Sequence, residues 1–128
     1  KIEENFKKVK FGKLRDIPAK CKPLCDTLIF QFDTKEIAQD FVNRIEKRGL
    51  GTKNLPDAIE WHYATYWDHM LDHFQMTKNE LDKSLESSSM IMERSVALPV
   101  MVRTSKKELA EISLILHEVL EQLGSIYK

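Results

Sequence analysis

The chain has little of what staples or punctuates a small fold. Its only cysteines are Cys21 and Cys25, both within CKPLC, so no multi-disulfide framework holds it together. No second Cys/His pair follows at finger spacing, so the pattern of a zinc finger is missing too. Two reduced thiols are the expectation. Four glycines and four prolines in 128 residues are too few for a linker-rich or low-complexity chain. There is no excess charge of either sign: Lys plus Arg and Asp plus Glu are 20 each. A nucleic-acid partner is therefore not expected, since replacing counterions around phosphates needs a surplus of positive charge. Long apolar runs are absent as well. The longest, VALPVMV, is far short of a bilayer span, and the opening KIEENFKKVK lacks the apolar heart of a signal peptide. The expectation is a cytoplasmic protein without a membrane partner.

What is present suits one domain with one core: 42% hydrophobic and 31% charged residues. No Met stands at position 1 and the first residues read as the end of a helix, so a fragment of a longer protein is expected. Ile2, Phe6 and Val9 share a helical face. GKLRDIP suits a short strand stopped by Pro18. In TLIFQFD, Leu28, Phe30 and Phe32 alternate against Thr27, Ile29 and Gln31, which predicts a strand with one buried face. Asp33 and Glu36 have capping-box spacing ahead of a helix bearing Ile37, Phe41 and Ile45, and Gly49 suits its left-handed end. GLGTKN reads as a turn. Thr77 with Glu80 predicts another helix start. SVALPVMV reads as a strand with Val96, Leu98, Val100 and Val102 on one face, placed at an edge or bulged because Pro99 cannot donate to a ladder. Ser105 with Glu108 opens a last helix whose stripe is Leu109, Ile112, Leu116, Val119 and Leu123, widened by Ile115 and Leu120. Few strands and one-sided helices predict an α+β fold: a small, largely antiparallel sheet with amphipathic helices packed on one face, and a helical insert over 55–92.

The insert opens with LPDAIEWHYATYWDHMLDHF. It holds both tryptophans, three of the four histidines and two of the three tyrosines. On a helical wheel Ile59, Tyr63, Tyr66, Trp67, Met70 and Phe74 form one face, which reads as an ordinary core face. His62, His69 and His73 then fall in a row on its flank. That row is a weak metal signal, because HxxxH lacks the Glu of HExxH and no third ligand is set by spacing. Trp61 points away from the core face. Either a second domain, partner or ligand covers it, or the segment is not one straight helix and Trp61 turns inward.

Several stretches together resemble a known family. FQFDTKEIAQDFVNRIEKRGLGT resembles a strand, helix and Gly-Ile-x-Thr-like turn of the DegT/DnrJ/StrS sugar aminotransferases; here the turn is Gly49, Leu50, Gly51 and Thr52. ERSVALPVMVRTSKKELAEISLILHEVL is similar to that family's closing segment, with Glu93, Arg94, Leu98, Pro99, Ser105 and Glu108 in the matching places. IEENFKKVKFGKLRDIP looks like its link between large and small domains. The resemblance implies the C-terminal small domain of an enzyme in the aspartate aminotransferase fold class, dependent on pyridoxal phosphate. It implies a large cofactor-binding domain on the same polypeptide, a homodimer, and transfer of an amino group, from glutamate, to a keto-sugar. The Schiff-base lysine lies in the absent large domain, so no catalytic residue is assigned here. The family's Pro-x-His segment has its place in KNLPDAIEWHYATYWDHM, which offers Trp61, His62 and Tyr63 as pocket residues. Asn54 at the turn is a further candidate, and Arg94 or Arg103 suits a carboxylate. Two other readings stay open: a free-standing α+β binding module that uses the Trp61 surface, and a metal-binding domain on the histidine row.

Overall fold

The computed structural model describes residues 2–22, 27–54, 63–99, 101 and 103–127. In chain order these form α1 (Ile2–Phe6), β1 (Gly12–Leu14), β2 (Thr27–Phe32), α2 (Lys35–Lys47), β3 (Lys53–Asn54), short 3-10 turns at Ala64–Tyr66 and Asp68–Met70, α3 (Leu71–Phe74), α4 (Lys78–Glu93), β4 (Ser95–Pro99) and α5 (Lys106–Ile126). The fold is α+β, as the patterning predicts.

The described strands form one sheet in the order β1-β2-β4-β3, every neighbouring pair antiparallel. β2 and β3 therefore run the same way with β4 between them, a split βαβ unit that α2 closes. Register sets the faces. Phe30 stands opposite Val96 and Leu28 opposite Leu98, and with Phe32 they make the covered face. α1, α2 and α5 close over it with Phe6, Phe41, Ile45, Leu116 and Leu123, all almost fully buried. The rings interlock: Phe6 lies 4.6 Å from Phe30, and Phe41 lies 5.0 Å from Phe32. Polar pairs tie the helices together. The Asn5 amide donates to the Ser113 carbonyl and hydroxyl, and Arg48 meets Glu118 at 2.6 Å.

Of the three capping boxes expected above two are present, Thr77 with Glu80 and Ser105 with Glu108. α2 differs: its N-cap is Thr34, which accepts from Ile37 N–H, not Asp33. The Asp33 N–H goes instead to the Phe11 carbonyl, tying β2's exit to the α1–β1 loop. At its other end Gly49 has φ 82°, its N–H bonds Glu46 O, and Leu50 N–H bonds Ile45 O. This is a Schellman stop that turns the chain toward the sheet. The expected turn GLGTKN ends in strand, since Lys53 and Asn54 pair with Ala97 and Val96. β4 is central and not an edge: Pro99 is tolerated because it is the last residue of the strand. Val100 and Val102 lie outside the described residues, as do Cys25 and residues 55–62.

The straight helix expected through the aromatic segment is not formed over 63–74. That stretch is two 3-10 turns and one turn of α-helix, stopped by Gln75 at φ 52°. Its supposed core face is only partly covered: Tyr66 is 53% and Phe74 38% exposed, while Tyr63, Trp67 and Met70 are half-buried. Tyr63, Thr65, Tyr66 and Trp67 are weak helix formers, because β-branched and aromatic side chains lose rotamers against the preceding turn. Polar contacts to α4 then win over a continuous helix, as described below.

Candidate functional site

A cleft of about 560 Å³ opens at one end of the sheet. Three local events build it. The Schellman stop places Arg48 through Gly51 along one wall. Pro99 ends β4 beside Leu98. The Ser105–Glu108 box starts α5 on the far side. Its floor is apolar, with Leu28, Leu50, Leu98, Ile112 and Ile115. Its mouth carries charge, most of it already engaged. Arg48 is held by Glu118. One Glu108 oxygen accepts from Ser105 N–H at 2.7 Å. The Ser105 side chain and then its backbone hold that carboxyl below the usual range. Arg103 is exposed and makes no ion pair among the described residues, which leaves its guanidinium available to an incoming anion.

The sequence-derived candidates fall elsewhere. Trp61 and His62 lie outside the described residues. Asn54 enters through its backbone, paired with Val96. Arg94 caps α4 two residues before Val96; its carbonyl accepts from Phe32 N–H at 2.8 Å. Its Nη1 reaches the Asp33 carbonyl at 3.5 Å, and its Nε is buried without a hydrogen-bond partner among the described residues. Tyr63 sends its hydroxyl to α4, 3.1 Å from Leu85 O and 2.8 Å from Ser89 Oγ. The strand register therefore brings Asn54 and Arg94 to one end of β4, while Tyr63 joins the preceding helix. Of the side chains described, neither Arg94 nor Tyr63 lines the apolar cleft. Arg103 does.

A second cavity, about 1100 Å³ and open, lies between α1, the start of α2 and the end of α5. Lys8, Lys10 and His117 alternate there with Glu4, Asp33 and Glu121, so it favours neither sign. His69 and His73 are both exposed, and among the described residues no group of three or more His, Cys, Asp or Glu side chains is placed to hold a metal. Sequence reasoning missed the part of Arg48 and the Gly49–Gly51 turn as cleft wall. It also missed Tyr66 as an outward ring.

No protein-family model matches this chain, and no curated protein matches it. No helix among the described residues is long and apolar enough to cross a membrane.

Proposed function

We propose that this chain is the substrate-side, C-terminal domain of a cytoplasmic aminotransferase that uses pyridoxal phosphate and acts as a homodimer. The whole enzyme moves an amino group from glutamate to a keto-sugar. One observation carries the reading. The stretches that resemble the sugar aminotransferases are far apart in sequence, yet Gly49, Leu50, Gly51, Leu98, Pro99 and Glu108 line a single cleft, with Arg103 at its mouth. Arg103 and Arg94 suit an anionic group of the donor or of the sugar. Asn54, Trp61, His62 and Tyr63 belong to the sugar side.

The residues present do not fit the cofactor itself. A lysine that attacks an aldehyde needs a neutral amine, and burial away from acids is what supplies one. Of the lysines with described side chains only Lys78 is not exposed. Its hydrogen bond to Asp82 outweighs desolvation and raises its pKa above the usual lysine value. The cofactor's lysine is assigned to the large domain, and the role of this chain is to bind and orient. The full-length gene product, given glutamate and a nucleotide-linked 4-keto-hexose, should release 2-oxoglutarate, and the 128-residue chain alone should release none. Release by the isolated chain, or none by the full-length protein, would overturn the reading.

A further inference from the structure

The cleft at the end of the sheet joins two chemistries. Its floor offers hydrocarbon. Leu28, Leu50, Ile112 and Ile115 are half-buried: they pack against the core cluster and still meet water in the cleft. Polar groups beside them are spent. Leu28 and Leu98 face each other across the β2–β4 ladder, Leu50 N–H is bonded to Ile45 O, and the Thr104 hydroxyl donates to Met101 O at 2.9 Å. A hydroxyl or a peptide group pressed onto this floor would lose its water and find none of these groups free, which costs affinity. A run of methylenes has no such cost and gains by leaving water. The mouth is charged, and its charges are engaged with one exception. Arg48 meets Glu118 at 2.6 Å, a Glu108 oxygen accepts from Ser105 N–H at 2.7 Å, and Glu111 lies 3.9 Å from Lys107. Arg103 is exposed and makes no ion pair among the described residues. Its guanidinium is the fork left to meet a carboxylate, and that geometry is bidentate. At about 560 Å³ the cleft has the size of a small-molecule site, not of a groove for a folded partner.

We propose that this cleft binds a small amphipathic carboxylate, with its hydrocarbon body on the floor of Leu28, Leu50, Ile112 and Ile115 and its carboxylate on the Arg103 guanidinium. The site rests on this chain's own residues. Under the aminotransferase reading it makes the anion at Arg103 one carried on an apolar body. Titration calorimetry of the full-length protein with straight-chain carboxylates tests it and needs neither cofactor nor turnover. Octanoate should saturate at one site per chain, and affinity should rise about three- to fourfold per methylene from butanoate to octanoate. Arg103→Gln should weaken octanoate about tenfold, the loss of a charge-assisted hydrogen bond, and leave the neutral octanol unchanged. Arg103→Lys should keep part of the octanoate affinity, since it keeps the charge and loses the fork. The Arg103 side chain is exposed, so these variants remove no core packing. Methyl resonances of Leu50, Ile112 and Ile115 should shift on adding octanoate, and those of Leu85 and Ile91 should stay. No saturation by octanoate, affinity independent of chain length, or equal octanoate affinity in wild type and Arg103→Gln would overturn the proposal. Amination of a keto-sugar is measured separately. Octanoate binding without amination therefore sinks only the aminotransferase reading, and amination without octanoate binding sinks only this proposal.

Discussion

The helix-covered sheet and the excursion at 63–93 are built from similar residues but held by different forces. In the sheet layer, phenylalanines from α1, β2 and α2 meet ring to ring, and α5 lays a continuous apolar stripe over them. In the excursion the described aromatics stay partly wet; Leu81 is buried, and the hydrogen bonds of a phenol and an ammonium join 63–70 to α4. Apolar burial is additive and non-directional, so the sheet layer tolerates little loss of volume anywhere. Polar bolts are directional and few. A region held that way is locally ordered yet contributes little to the stability of the whole.

The sharpest way to break this comparison is to delete one ring from each side. Phe41→Ala should cost about 3–5 kcal/mol in urea denaturation, because Phe41 is wholly buried among Phe6 and Phe32. Tyr66→Ala should stay within about 0.5 kcal/mol of wild type, as a surface change does. Equal costs would contradict the account. Next in size is Gly12→Ala. A methyl group there would meet Gln31 O and the Phe30 ring at 2.5 Å and Phe32 Cα at 2.9 Å. Backbone cannot step aside easily, so a loss of about 1–3 kcal/mol is expected from the thermal midpoint.

The two capping boxes sharpen the contrast, since their chemistry is the same. Ser105→Ala should cost about 1 kcal/mol of global stability, because α5 roofs the core. Thr77→Ala should register chiefly as faster amide exchange in the first turn of α4, with a smaller shift in the midpoint. The smallest effect is in pH. Hydrogen bonds from Thr77 and from Ser105 hold Glu80 and Glu108 below their ordinary carboxylate range. A lowered folded-state pKa gives stability that is present above the ordinary value of 4.5 and is lost as pH falls through the lowered one. Glu108→Gln should therefore flatten the acid side of the midpoint-versus-pH curve, and Glu80→Gln should flatten it less, because α4 adds no described residue to the main core cluster.

Legibility followed the same divide. The α5 stripe, the two boxes and Gly49 could be read because each rests on a local rule that the tertiary structure also satisfies. The excursion could not. Its wheel arithmetic is sound for Ile59 through Phe74, but periodicity says where a helix would bury its residues and not whether a helix forms. The bonds from Tyr63 to Ser89 and from Lys78 to the Thr65 carbonyl span 13 to 26 residues and leave no periodic trace. β3 escaped notice because two polar residues have no alternation to detect, and only the register with Ala97 and Val96 makes them a strand. Thr34 and not Asp33 caps α2, one residue later than the spacing suggested, while the Asp33 N–H bonds the Phe11 carbonyl. The cleft was hidden for a different reason: Leu28, Gly49, Pro99 and Arg103 come together only once the sheet forms. Their separate motifs carried the family resemblance, and nothing in the spacing said that they share a wall.

The central claim is that these residues shape a substrate cleft whose reactive lysine lies elsewhere on the polypeptide. Borohydride reduction of the full-length protein, followed by peptide mapping, addresses it directly. The account predicts a pyridoxyl adduct on a lysine outside these 128 residues. An adduct on a lysine within them, or no adduct on any peptide, would contradict it.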